Sequence, residues 1–213
     1  MTYKIAERFK SVQGEGVYAG TPMAFIRFVG CSVGKKICQH CDTDFEKVGP
    51  DWRGGGEFTD KELLLWMNPY RHVCLTGGEP LNQDLTDLLV DYGVVEMWHI
   101  ETSGTVPLPA FNDRVLAEGR IWVCVSPKPG YLEDVVMAAD EVKVIVPGLG
   151  NGLGWPTLAD ARRWAEAGKT VFLQPRNAKF DVDKQNLLYV QDVIAAHPEL
   201  RLSVQLHKLL KVQ

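Results

Sequence analysis

The chain has no apolar run near the ~18 residues that a membrane span requires. Its first residues, MTYKIAERFK, hold no apolar stretch of signal-peptide length. Together these absences predict a soluble, cytoplasmic protein without a membrane partner. A basic surplus is missing too, since 23 lysines and arginines stand against 27 aspartates and glutamates, for a net charge of −4. Gripping a phosphate backbone takes clustered positive charge, so no nucleic-acid partner is expected. No repeat, low-complexity tail or internal linker divides the sequence. Its 213 residues suit one well-buried domain, spanning 1–213, better than two. Cysteine is scarce and odd in number, at five. In a reducing compartment that count fits metal chemistry better than a disulfide framework.

What is present is a rhythm. Short β-branched and aromatic runs recur, each closed by glycine or proline: AFIRFVG (24–30), HVCLTGGEP (72–80), EMWHIETSG (96–104), IWVCVSP (121–127), EVKVIVPG (141–148) and TVFLQP (170–175). A seventh, RLSVQLHK (201–208), lies near the end. Helical patterns with start and stop signals fall between several of them. Thr59 or Asp60 is placed to cap KELLLWM, Asn82 to cap QDLTDLLVDY, and Thr157 to cap LADARRWAEA; Asp183 can open KQNLLYVQDVIAAH. Strand and helix alternate about every 25 residues, which reads as βα units with parallel strands. Eight units fill a closed barrel of about 250 residues, and this chain has room for about six. The expected fold is therefore α/β, a single-domain open or partial TIM-like barrel, with a doubly wound sheet as the alternative. Two glycine-rich stretches, GPDWRGGGEF (49–58) and PGLGNGLGWP (147–156), read as loops. Chemistry in such a fold belongs at the C-terminal ends of the strands, where GCS, TGGEP, ETSG, SPK and QPR fall.

Three cysteines crowd into GCSVGKKICQHCDTDF (30–45), spaced C-x6-C-x2-C. One reading is a structural zinc site, with Cys31, Cys38 and Cys41 as ligands. Its fourth ligand would be His40, which lies inside the C-x2-C turn rather than flanking it. The other reading is a cubane iron–sulfur cluster held by three thiolates, one iron being left for an exchangeable ligand. Cys74 and Cys124 alternate with apolar neighbours inside strands and read as core thiols.

The cysteine loop, TGGEP at 76–80 and the βα pattern resemble the radical S-adenosylmethionine superfamily. Within it, the chain is most similar to the 7-carboxy-7-deazaguanine synthase family. VQGEG (12–16), AFIRFVGC (24–31), CDTDF (41–45), TGGEP, IETSG (100–104), VSPK (125–128), LQP (173–175) and QLHK (205–208) occur in that family's order. The departure is the first cysteine interval, six residues here against the superfamily's usual three. The resemblance implies a 4Fe-4S cluster on Cys31, Cys38 and Cys41. It implies S-adenosylmethionine contacts at His40, Cys41, Asp42, Gly78, Ser126, Pro127, Lys128, Gln174, Pro175, Arg176 and Asn177, with Gly77 and Glu79 beside Gly78. Thr43 would meet a magnesium ion. Substrate contacts would come from Val12, Gln13, Gly14, Arg27, Thr76, Glu101, His207 and Gln213.

The implied reaction turns 6-carboxy-5,6,7,8-tetrahydropterin into 7-carboxy-7-deazaguanine with release of ammonia, a radical ring contraction. That compound starts the routes to queuosine in tRNA, to archaeosine and to modified DNA. No side chain would serve as acid or base. A flavodoxin or ferredoxin would donate the electron, and a homodimer is implied. Two alternatives stand beside this expectation: a glycyl-radical-activating enzyme, and a zinc-binding interaction module outside the enzymes.

Overall fold

Every second residue of the central strands is a buried aliphatic or Trp, the residues between them are mixed, and this alternation builds the molecule. The computed structural model describes residues 1–38, 41, 43, 45, 54–90, 94–111, 118–147, 154–177 and 181–210. In chain order they form β1 (Thr2–Val12), β2 (Pro22–Phe28), β3 (Gly56–Thr59), α1 (Asp60–Met67), β4 (His72–Gly77), a 3-10 turn (Pro80–Asn82), α2 (Thr86–Val90) and β5 (Met97–Thr102). β6 (Ile121–Val125), α3 (Glu133–Ala138), β7 (Glu141–Val146), α4 (Leu158–Glu166), β8 (Thr170–Pro175), α5 (Lys184–Ala196), β9 (Arg201–Leu202) and α6 (Leu206–Leu210) follow.

The strands form one nine-stranded open sheet in the order β3-β1-β2-β4-β5-β6-β7-β8-β9. β1 pairs antiparallel with β2 and β3, and every pairing from β2 through β4 to β9 is parallel. The expected open barrel is therefore present, extended by an antiparallel flap that the sequence reading did not contain. β1 was missed because lysine, glutamate and arginine interrupt its alternation, although Tyr3 and Ile5 are buried. β3 lies in a stretch read as loop; its glycines open onto β1, where a Cβ on Gly55 would sit 2.4 Å from the Ala6 carbonyl oxygen.

One sheet face carries Val73, Leu75, Trp98, Ile100, Val123, Val125, Val142, Val144, Val171 and Leu173. It packs beneath the helices in two apolar clusters. The opposite face carries Arg27, Cys74, Thr76, His99, Glu101, Cys124, Glu141, Lys143 and Gln174. The register sets these side by side: Arg27 opposite Thr76, Glu101 opposite Cys124, and Cys124 opposite Glu141. Parallel strands covered on both faces read as continuous apolar runs. Apart from a small apolar cluster of Met23, Phe25 and Cys74, this second face is largely polar, which marks a chamber rather than a full second core.

The helix starts follow their caps, with one correction. Thr59 and Thr157 each form a capping box, with Glu62 and Asp160 respectively, and the Asp183 side chain accepts from Gln185 and Asn186 N–H. Asn82 caps nothing. It ends the 3-10 turn begun by Pro80, and the next residue, Gln83, is tied through its side-chain amide to both backbone groups of Lys4. The helix starts only at Thr86, whose N–H Asp84 accepts. The expected seventh strand also shortens to two residues. After Ser203 the chain turns, Leu206 N–H bonds to the Gly14 carbonyl, and His207 lies on α6 rather than on a strand.

At the N-terminal ends of the parallel strands, the β1–β2 loop folds under the chamber. Tyr18 packs edge-on against His99 and Trp122, with ring centroids 4.5 and 5.0 Å away, and His72 Nδ1 lies 2.9 Å from His99 Nε2. Burial, assisted by His72, lowers His99 from 6.5 to about 3. Below pH 6.5 the unfolded chain takes up a proton that native His99 refuses. This contribution to stability is complete above that pH and is lost as pH falls toward 3, at about 1.4 kcal/mol per pH unit. Urea unfolding at pH 7 and pH 5 should show the loss, and His99→Phe should reduce it. An equal loss in the variant would overturn the assignment.

Candidate active site

The cysteine loop leaves β2 at its C-terminal end. Cys31, Cys38 and Cys41 are all free thiols, the first two half-buried and the third exposed. Cys38 N–H bonds to the Gly34 carbonyl, and Cys41 N–H to that of Cys38. Burial pushes the Cys38 thiol up while nearby Lys128 works against it. His40 and Asp42 lie outside the described residues, as does Gln213.

The TGGEP turn braces this loop from β4. Glu79 N–H donates to the Gly30 carbonyl at 2.8 Å, and Gly78 N–H to that of Phe28 at 3.2 Å. A Cβ on Gly78 would fall 1.8 Å from the Gly30 oxygen and 3.0 Å from Cys31 Cβ. Gly78 thus lets two backbones touch directly behind the first cysteine, and Gly77, where a Cβ would fall 2.5 Å from Phe28 N, does the same against β2, a role not anticipated for them. Glu79 is fully buried and clamps the end of β5: its carboxylate accepts from Thr102 Oγ1 at 2.8 Å, from Ser103 N–H at 2.8 Å and from the Ser103 hydroxyl. Ser32 Oγ, 3.0 Å from Thr105 Oγ1, joins the cysteine loop to the same strand end. On the β6 end, Lys128 Nζ donates to the Ser126 carbonyl at 2.8 Å and to its hydroxyl at 2.6 Å, with Pro127 between them.

Below this rim is a polar floor. Lys143 is 3% exposed, and its ammonium lies 2.7 Å from Glu15 Oε2 and 2.7 Å from Glu101 Oε2. Gln13 Nε2 donates to Glu101 Oε1 at 3.1 Å. Glu15 Oε1 accepts from Gln174 Nε2 at 3.2 Å and from Gln205 Nε2 at 2.7 Å. Burial alone would raise Glu15, but Lys143 and the hydrogen bonds from Lys143 and Gln205 hold it at about 2. Burial would lower Lys143, yet the acidic groups around it, Cys124, Glu101, Glu15 and Glu141, push it well up. The loop bearing Glu15 has no room for side chains at Gly14 and Gly16. A Cβ on Gly14 would meet His207 Nδ1 at 2.6 Å, and one on Gly16 would meet Glu141 Oε1 at 2.1 Å. This explains the QGEG motif: it crosses beneath the open barrel and ties β1 to β7, β8 and α6.

The anticipated residues therefore gather on two levels. The cysteines, Gly78, Ser126, Pro127 and Lys128 stand at the rim. Gln13, Gly14, Glu101 and His207 stand on the floor, with Val12 where β1 runs into the loop. Gln174 turns its amide to the floor, bonding Glu15 and Ser203, while Pro175 closes β8. Arg176 and Asn177 are held by backbone and side-chain bonds to Asn186 and Gln205. Arg27 Nε donates to Glu7 Oε1 at 2.7 Å and Nη1 to Thr43 Oγ1 at 3.3 Å, beside Thr76.

Sequence reading missed Glu7, Glu15, Lys143 and Gln205. Lys143 did leave a signal, an ionisable residue inside the strand run EVKVIV. Among the described residues no His, Cys, Asp or Glu trio is gathered to hold a single metal ion. The chemistry of the donor set, three free thiols on one loop, suits a polynuclear group in which each thiolate takes a different iron.

An open parallel barrel with a polar concave face, three free thiols at its rim and buried charge on its floor defines an enzyme of the partial-barrel class. The chain is 35% identical to the 7-carboxy-7-deazaguanine synthase of Burkholderia multivorans over the whole of both chains, and 37% identical to that of Bordetella pertussis over 98% of each. It belongs to the 7-carboxy-7-deazaguanine synthase family, a radical S-adenosylmethionine family. A crystal structure of QueE from Escherichia coli superposes with a TM-score of 0.71 at 28% identity, covering 96% of this chain and 94% of that one. No family model matches the sequence. The relatives favour neither the glycyl-radical-activating nor the zinc-module alternative. Among the described residues no helix is long and apolar enough to cross a membrane.

Proposed function

We propose that the chain converts 6-carboxy-5,6,7,8-tetrahydropterin to 7-carboxy-7-deazaguanine and ammonia. The observation that carries this reading is the stacking of a three-thiol rim above a floor of hydrogen-bonding side chains. Cys31, Cys38 and Cys41 would hold a 4Fe-4S cluster, and Ser126 and Lys128 the carboxylate of S-adenosylmethionine through hydroxyl and charge-assisted bonds. Together the two cofactors, when bound, supply the radical that removes a hydrogen atom from the substrate. The chain's own residues bind, orient and shield the pterin. Arg27 offers its fork to the pterin carboxylate, while Gln13, Glu101 and His207 meet the ring. Thr43, beside Arg27, supplies an oxygen of the kind magnesium takes, with substrate and water completing the set. A flavodoxin or ferredoxin as reductant, a homodimer and a cytoplasmic setting complete the proposal.

Anaerobic reconstitution tests it. The protein should bind about four irons and release ammonia and the deazaguanine from the pterin, given S-adenosylmethionine and a reductant. Iron-replete protein that cleaves S-adenosylmethionine but leaves the pterin unchanged would overturn the assignment.

A further inference from the structure

Lys143 is buried on the chamber floor, and its two ion-pair partners outnumber it. One ammonium faces two carboxylates, each 2.7 Å away, so the trio carries a net negative charge. Glu141, on the same strand, adds a carboxyl whose Oε2 accepts Val17 N–H at 2.9 Å. A buried pair kept for cohesion alone gains nothing from a surplus charge, which costs desolvation. The surplus points to a ligand that brings donors.

The two carboxylates differ in how far their oxygens are satisfied. Glu15 accepts from Lys143, Gln174 and Gln205, three donors that fix it in place. Among the described residues Glu101 accepts one bond per oxygen, from Lys143 on Oε2 and Gln13 on Oε1, and its side chain is 18% exposed. Each carboxylate oxygen has room for a further donor. Two adjacent N–H groups in a plane, spaced as the oxygens are, would fit that edge. A pterin's aminopyrimidinone presents such a pair, the ring N3–H and the 2-amino group.

We propose that Lys143 is a positioning residue: its ammonium fixes Glu15 and Glu101 on the floor, where Glu101 accepts the paired N–H donors of the substrate's aminopyrimidinone edge. This rests on the functional reading above and adds to it the residue that sets discrimination at the 2-amino position. A site built to bond a donor rejects an analogue lacking it, because its own buried groups are left unpaired.

The test is binding, measured anaerobically by calorimetry on iron-loaded protein with S-adenosylmethionine present. The probes are the pterin and an analogue with hydrogen in place of the 2-amino group. Wild type should prefer the pterin by roughly ten- to a hundredfold. Lys143→Met should bring that ratio close to one, with iron content and S-adenosylmethionine affinity unchanged, and Lys143→Arg should keep part of it. Should Lys143→Met fail to fold, Lys143→Met/Glu15→Gln removes one charge of each sign and is expected to lose the preference too. A variant that folds and discriminates as well as wild type overturns the positioning role while leaving the functional reading intact. Wild-type protein that binds no pterin overturns both.

Discussion

Replacing Cys31, Cys38 or Cys41 with alanine should yield a colourless, iron-poor protein that converts no pterin, whereas Cys74→Ala and Cys124→Ala should stay brown. The chain has five free thiols, so composition does not choose among them; position does. Cys74 and Cys124 are buried on the sheet and burial pushes both thiols well above their ordinary range. Only the thiolate is a metal ligand, which makes those two poor candidates. The other three share one loop at the strand ends, where the Gly30 carbonyl and Gly78 hold Cys31 against β4. Loss of one ligand of three from a cluster whose fourth iron has no protein ligand should be total rather than graded. Iron analysis and visible absorbance after anaerobic reconstitution give the readout. Full iron retention by Cys31→Ala would remove the six-residue interval from the ligand set. One zinc per chain in place of iron would restore the alternative that the relatives disfavour.

The strands that end in chemistry were legible because glycine, proline and β-branched runs punctuate them. The flap was not: β1 pairs through backbone bonds that tolerate the charges of Lys4, Glu7, Arg8 and Lys10, so its pattern resembles a polar leader. His207 was placed on a strand because RLSVQLHK alternates, but the strand is Arg201–Leu202, with Ser203 N–H still bonded to the Leu173 carbonyl before the chain turns under Gly14. The rim was readable as motifs. The floor was readable in part, since Gln13, Gly14, Glu101, Gln174 and His207 were named; its bracing was not, since Glu15, Lys143 and Gln205 are far apart in sequence and meet only in the folded chain. Motifs name residues near a ligand; the groups that hold those residues show only in the folded chain.

Arg27 illustrates the difference, and its variants should show two separable losses. The sequence offers a planar fork for a carboxylate. The structure adds that Nε is already committed to Glu7, with side chains 19% and 12% exposed, and Nη1 to the Thr43 hydroxyl. Those bonds use two of the five guanidinium N–H donors, which leaves others for a carboxylate. Arg27→Ala should weaken pterin binding by roughly ten- to a hundredfold, if the charged bonds are worth about 1.5–3 kcal/mol. It should also lower stability by about 1–3 kcal/mol, because the half-buried Arg27–Glu7 ion pair is lost. Arg27→Ala/Glu7→Gln removes the opposing charge as well, so part of the stability should return while affinity does not. Arg27→Lys keeps the charge without the fork and should fall between wild type and alanine. Iron content and S-adenosylmethionine binding should be intact in all three. A tetrahydropterin lacking the 6-carboxylate isolates the contact: it should bind wild type and the double variant equally poorly. If the double variant still prefers the carboxylated pterin as strongly as wild type does, Arg27 serves Glu7 alone and the carboxylate is held elsewhere.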